Sequence, residues 1–145
     1  MITRTFPGRY ESLSEIADFV RSAANAAGLN SFEVYTIETA VDEACSNIIE
    51  HAYNGICDGI IECTIMETTE GITITLKDNG NKFTPKVIPR PDVEAPLKKR
   101  KDHGLGLYII HKWMDAVSFD YVDGRNILIM TKYRDRKVNE PGKVI

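Results

Sequence analysis

Hydrophobic spacing changes abruptly at Gly59, and that change restricts the chain to folds in which helices lie against a sheet. Before it, Val34, Ile37, Val41, Ala44 and Ile48 recur at the period of one helical face through to about Tyr53. After it, IIECTIMETTEGITITLKDNG reads as two strands, broken by a tight turn around Thr69, Glu70 and Gly71. Helix and strand periods cannot share one backbone, so the boundary divides two layers of structure.

The remaining elements follow from the same cues. A short strand is expected within residues 2–10, ending near Pro7 and Gly8. Ser12 and Glu15 have capping-box spacing and open a first helix with the stripe Leu13, Ile16, Ala17, Val20 and Ala24, stopped by Gly28. Ser31 is the expected cap of the second helix, which Asn54 and Gly55 close. A third helix is expected from Gly104, with Leu105, Tyr108, Ile109 and Trp113 or Met114 as its apolar side. AVSFDYV and NILIMTKY read as a last strand pair turning at Asp123 and Gly124, and the polar tail, residues 134–145, is expected to fray. Strands and helices that do not alternate strictly predict an α+β fold: a two-layer sandwich with a mixed, mainly antiparallel sheet covered on one face by helices. No repeat or linker interrupts the pattern, so residues 1–145 read as one domain.

Composition narrows the function. The 145 residues are 43% hydrophobic and 27% charged, as in soluble globular proteins, and no apolar run approaches the length of a membrane span. The start, MITRTFPGRYESL, has no apolar stretch of the kind found in secretory signals, so a cytoplasmic protein without a membrane partner is expected. A formal charge of −3 argues against direct nucleic-acid binding, which rests on a basic face. Cys45, Cys57 and Cys63 are odd in number and lack zinc-site spacing, which favours reduced thiols.

Three segments carry chemistry. Glu43 and Asn47 are four residues apart and therefore neighbours on a helix surface, beside the apolar stripe. An amide oxygen is a suitable hard ligand for Mg²⁺, and a carboxylate one turn away is placed to take a proton from an attacking hydroxyl. Asp78-Asn79-Gly80 is an ordinary turn sequence in which glycine takes positive φ; functionally, its carboxylate can accept from an adenine amino group, with Gly80 leaving room for the base. His103, Gly104, Leu105, Gly106 and Leu107 stand where a helix begins, and free N–H groups there collect phosphate oxygens. Between the last two lies a stretch of roughly 81–103 with four prolines, long enough to be functional or disordered. Its basic run includes Lys98 and Arg100, which can offer positive charge to phosphates. Neither a Rossmann fingerprint nor a P-loop fits, since GLGLYI lacks the third glycine and no GK[ST] occurs.

Taken together, EACSNIIEHAY, DNG and HGLGLYIIHKWMDAVSFDYVDGRNILIMTKY resemble the GHKL (Bergerat-fold) ATPase and kinase superfamily, and within it the anti-sigma-factor serine kinases of the RsbW-like group. The resemblance covers roughly residues 10–133. It implies Glu43 as general base toward a serine or threonine hydroxyl, Asn47 as Mg²⁺ ligand, Asp78 as adenine contact, and Gly104 with Gly106 as phosphate cradle. Residues of about 82–103 become an ATP lid. The implied cofactors are ATP and Mg²⁺. Implied partners are a sigma factor, a STAS-domain anti-anti-sigma protein that the chain phosphorylates, and a second copy in a homodimer. Two positions depart from the pattern: Lys82 puts a long cation after the DNG turn, and Gly124-Arg125 replaces a Gly-Thr pair, which leaves Thr131 as the candidate hydroxyl near adenine. The alternative is a non-catalytic nucleotide-binding regulator of the same fold.

Overall fold

The computed structural model describes residues 1–54, 59–83, 102–134, 138–140 and 143–144. Its main sheet has five strands: β1 (Ile2–Pro7), β2 (Ile60–Glu67), β3 (Gly71–Asp78), β4 (Ala116–Val122) and β5 (Arg125–Tyr133). They lie in the order β1-β2-β3-β5-β4, and every pairing is antiparallel, so the mixed sheet expected from sequence is a purely antiparallel one. Three helices, α1 (Leu13–Ala26), α2 (Ser31–Asn47) and α3 (Asp102–Trp113), accompany it, with α2 packed against both others. This is an α+β fold. No described helix is long and apolar enough to cross a membrane.

Period-two alternation decides which sheet face is covered. Ile61, Cys63 and Ile65 of β2, Ile72, Ile74 and Leu76 of β3, and Leu128 and Met130 of β5 are buried with Ile16, Val20, Ile37, Val41, Ala44 and Ile110 of the helices. Each such aliphatic side chain, fully buried, contributes about 1.5–3 kcal/mol. Among the described side chains of α3, Leu107 and Ile110 are buried, as is Met114 just beyond it, whereas Tyr108, Ile109 and Trp113 are only half-buried; over these residues the apolar face is rotated from the one expected from sequence. Because every residue from Leu105 to Ile110 except Gly106 is apolar or aromatic, periodicity alone does not select the face.

The helix ends also differ from expectation. Tyr10–Ser12 form a 3-10 turn ahead of α1, so Ser12 is already helical and its hydroxyl donates to the Pro7 carbonyl at 2.7 Å instead of capping. Asn30, not Ser31, caps α2: its side chain accepts from the Glu33 N–H, and the Glu33 carboxylate accepts from the Asn30 N–H, both at 2.8 Å. Gly28 ends α1 as expected, with φ +80°, and the hairpin turn at Asp123 and Gly124 takes φ of +53° and +76°.

The tail begins anchored rather than frayed. Arg134 donates to the carbonyls of Ala27, Thr68 and Thr69 and pairs with Glu67, and two short strands, β6 (Val138–Glu140) and β7 (Lys143–Val144), pair beyond it.

Candidate functional site

Register places the first pair of site residues. β3 and β5 run antiparallel with Asp78 opposite Asn126, at the end of the ladder where both side chains share the buried face. Asp78 is 3% exposed and Asn126 8%. The Asn126 amide donates to Asp78 Oδ1 at 2.9 Å, and the Gly80 N–H donates to the same oxygen at 3.0 Å. Both hydrogen bonds that described residues give this carboxylate fall on Oδ1, and Asp78 lines the space beside it.

That space is a cleft with a cavity volume of about 70 Å³. Ala44, Asn47, Ile48, His51 and Ala52 form its α2 side, Leu107 and Ile110 its α3 side, and Leu76, Asp78, Asn126 and Leu128 its sheet floor. Asn81, Lys82 and Phe83 close one side, with the Phe83 and Phe119 rings 5.3 Å apart between centroids. The exposed lining is largely apolar, with Asn126 bonded to Asp78 at the sheet floor. Burial pushes the Asp78 carboxyl above its ordinary range, against the opposing pull of Asn126, the Gly80 N–H and the Arg125 charge.

The end of α2 is joined to the Asp78 turn by a change of helix type. Ile48–Ala52 form a π-helical turn, a form often found at functional sites. The Ala52 carbonyl accepts from the Asn81 N–H at 2.9 Å. The Tyr53 hydroxyl, on a side chain 6% exposed, lies 2.5 Å from the Ile60 carbonyl and 2.7 Å from the Asn79 side chain, has one proton to donate between them, and accepts from the Asn79 N–H at 3.1 Å. The helix carrying Asn47 and the turn carrying Asp78 are thus fastened together by backbone and phenol.

The sequence-derived residues separate into four groups. Asn47, Asp78 and Leu107 meet in the cleft. Glu43 lies one turn before Asn47, half-buried and outside the cleft lining; burial raises its pKa, and the negative charges of Asp42 and Glu50 raise it further. His103, Gly104, Leu105 and Gly106 fall in the first turns of α3, which begins at Asp102. Lys98, Arg100 and most of the 82–103 segment lie outside the described residues, as does Cys57. Cys45 and Cys63 are free and buried, and burial pushes the Cys63 thiol up to about 12.

Two expectations need correction. Gly80 is not among the glycines of positive φ; a Cβ there would lie 2.5 Å from the Ala52 carbonyl oxygen, so its small size serves the approach of the turn to α2. Thr131 stands five residues along β5 from Asn126 and on the opposite face, its hydroxyl 3.3 Å from that of Thr73 and away from the cleft. The polar group beside Asp78 is Asn126, which sequence reasoning passed over. Its signal was present: in NILIMTKY, Asn126 is in phase with Leu128 and Met130, a polar residue on the core face.

Residues 6–132 match the histidine kinase-like ATPase domain family. The chain is 31% identical over 143 residues to the serine-protein kinase RsbW of Bacillus cereus, covering 94% of this chain and 86% of that protein. The RsbW of Bacillus mycoides is likewise 31% identical over 143 residues, with the same coverage. A solved structure of the RsbU and RsbW domains of Rv1364c from Mycobacterium tuberculosis superposes with a TM-score of 0.60 at 11% identity, covering 92% of this chain and 32% of that one, and so shares its fold. With the match spanning nearly the whole chain and the cleft built where helices meet the end of an antiparallel sheet, the chain belongs to the histidine kinase-like ATPase domain family and is similar to the serine-protein kinases RsbW.

Proposed function

We propose that the chain binds Mg-ATP in this cleft and acts as an anti-sigma factor and protein serine/threonine kinase, holding a sigma factor and phosphorylating a STAS-type antagonist. The observation that carries the reading is the buried Asp78 carboxylate, which lines a largely apolar cleft and has one oxygen engaged by Asn126 and Gly80. A carboxylate so placed selects a ligand that presents an N–H donor at the end of a flat apolar body, as adenine does. Guanine would present a carbonyl there and meet repulsion.

The donor set fits the rest of the nucleotide. Asn47, in the same cleft, would supply an amide oxygen to Mg²⁺, and the N–H groups at the start of α3 around Gly104 and Gly106 would meet phosphate oxygens. Lys98 and Arg100 would add positive charge. Bound Mg-ATP supplies the transferable phosphoryl group. Glu43, one turn from Asn47, would take the hydroxyl proton of the incoming serine or threonine, and its raised pKa makes it a stronger base once ionised. Positioning and electrostatics carry most of the rate in such transfers. Location in the cytoplasm, action as a homodimer and the absence of direct nucleic-acid contact belong to the same proposal.

Incubation of the chain with radiolabelled Mg-ATP and a STAS-domain protein tests it. Label appearing on a serine or threonine of that protein supports the kinase. Glu43 lying outside the cleft lining favours one second reading, a non-catalytic nucleotide-binding regulator; tight ATP binding without any transfer to a STAS protein would establish that instead.

A further inference from the structure

Five polar or charged side chains are buried among the described residues: Ser12, Glu33, Thr36, Asp78 and Asn126. Three serve neighbouring backbone. Ser12 donates to the Pro7 carbonyl, Glu33 completes the cap of α2, and Thr36 donates to the Glu33 carbonyl. Asp78 and Asn126 remain, and they are bonded to each other.

Asn126 commits its whole amide. Its Nδ2 donates to Asp78 Oδ1 at 2.9 Å and to the Asn81 carbonyl at 2.8 Å, while its Oδ1 accepts from the Phe83 N–H at 2.8 Å. A backbone N–H can only donate and a carbonyl can only accept, so these partners fix which way the amide points. No N–H is left over for a ligand, and Asn126 therefore acts through what it holds. It holds two parts of the cleft: the carboxylate at its polar end, and the backbone of Phe83, whose ring lines the side wall against Phe119.

We propose that Asn126 is the positioning residue for purine selectivity, turning Asp78 so that Oδ2 faces the exocyclic amino group of the base while fixing the Phe83 wall beside the base plane. This rests on the nucleotide reading above. An asparagine at this place does what a hydroxyl cannot, because one amide reaches the acceptor and both ends of the Asn81–Phe83 segment.

The test is calorimetric titration of the full chain with Mg-ATP and with Mg-GTP, for wild type, Asp78→Asn, Asn126→Asp and Asn126→Thr, with amide exchange at Phe83 read by NMR. Asn126→Asp keeps the acceptor for Phe83 but sets a second carboxylate against Asp78. At about pH 8 its ATP affinity falls by about tenfold or more and its preference for ATP over GTP shrinks; at about pH 6 part of both returns, because a proton shared by the two carboxyls restores a donor to Asp78. Arg125 on β5, Asp120 on β4, Lys82 beside Phe83 and His51 at the end of α2 also face or line this region, and wild type measured over the same range accounts for them. Asn126→Thr keeps one donor for Asp78 but cannot span to Phe83, so its ATP preference holds within about threefold of wild type while the Phe83 amide exchanges faster.

A folded Asn126→Asp variant with wild-type affinity and selectivity at about pH 8 would overturn the proposal. Should that variant not fold, Asn126→Thr decides, and unchanged exchange at Phe83 overturns it. Asp78→Asn separates the two layers of inference. If it still binds ATP as wild type does, the nucleotide reading itself is wrong; if it loses ATP while both Asn126 variants behave as wild type, only the role of Asn126 fails.

Discussion

The two ends of the β3–β5 ladder lie on the same pair of strands and solve opposite problems. At the Gly71 end the polar groups are closed off. Arg134 reaches the carbonyls of Ala27, Thr68 and Thr69 and pairs with Glu67, the Thr68 hydroxyl accepts from the Gly71 N–H, and a Cβ on Gly71 would lie 2.0 Å from the Lys132 carbonyl. At the Asp78 end a buried carboxylate lines a cleft, and both hydrogen bonds that described residues give it fall on one oxygen. The first end is built for stability. The second keeps a costly group out of water for a use that stability alone does not explain.

Substitutions at each end should separate these roles. The largest effect belongs to Glu43→Gln, beyond the open end: phosphoryl transfer to a STAS protein should fall by about 10²–10⁴-fold, while ATP affinity stays within about twofold of wild type. Transfer at the wild-type rate in an autoradiographic assay would remove Glu43 as the base. Gly80→Ala presses a methyl group onto the Ala52 carbonyl and should cost about 1–3 kcal/mol in urea unfolding, with weaker ATP binding as the turn shifts. At the closed end, Arg134→Met should cost about 1–2 kcal/mol of stability and leave ATP affinity unchanged. Weakened nucleotide binding in Arg134→Met, with the fold intact, would mean that the two ends are not independent.

The smallest effect is a pH dependence. Burial raises the folded-state pKa of Asp78, so the folded chain holds that proton more tightly than the unfolded one. Stability from this group is therefore present at low pH and is lost as pH rises from the ordinary carboxyl value of 3.8 through the raised one. Glu43 has the same sign. The melting temperature of Asp78→Asn minus that of wild type should accordingly be more positive near about pH 7 than near about pH 4. An unchanged difference would place the Asp78 carboxylate in water rather than in the fold.

Much of this was legible in the residue order, for reasons that differ by element. Period-two spacing gave β2, β3 and β5 nearly to the residue, because one covered face forces alternation. Gly28 and the Asp123-Gly124 turn were equally clear, since their backbone requires what those residues permit. Spacing alone does not settle the start of α2, where Asn30 and Glu33 carry the same capping signal as Ser12 and Glu15. Nothing local tells that Tyr10–Ser12 wind into the helix first.

In the site, Asn47 and Asp78 could be named from their motifs, but what joins them is tertiary. The Asn126 bond to Asp78 depends on strand register, and the fastening of Asn79 and Asn81 depends on a π-helical turn and the Tyr53 phenol. Thr131 offers a hydroxyl, but pleat parity sends it to the other face.

Titration of wild type and Asp78→Asn with Mg-ATP, alongside their thermal unfolding, addresses the central claim most directly. Asparagine can keep the bonds from Asn126 and Gly80 while losing the charge that faces the cleft. The account predicts that ATP affinity falls by about 1.5–3 kcal/mol while the nucleotide-free melting temperature at neutral pH is unchanged or higher. Wild-type ATP affinity in a folded Asp78→Asn protein would contradict it.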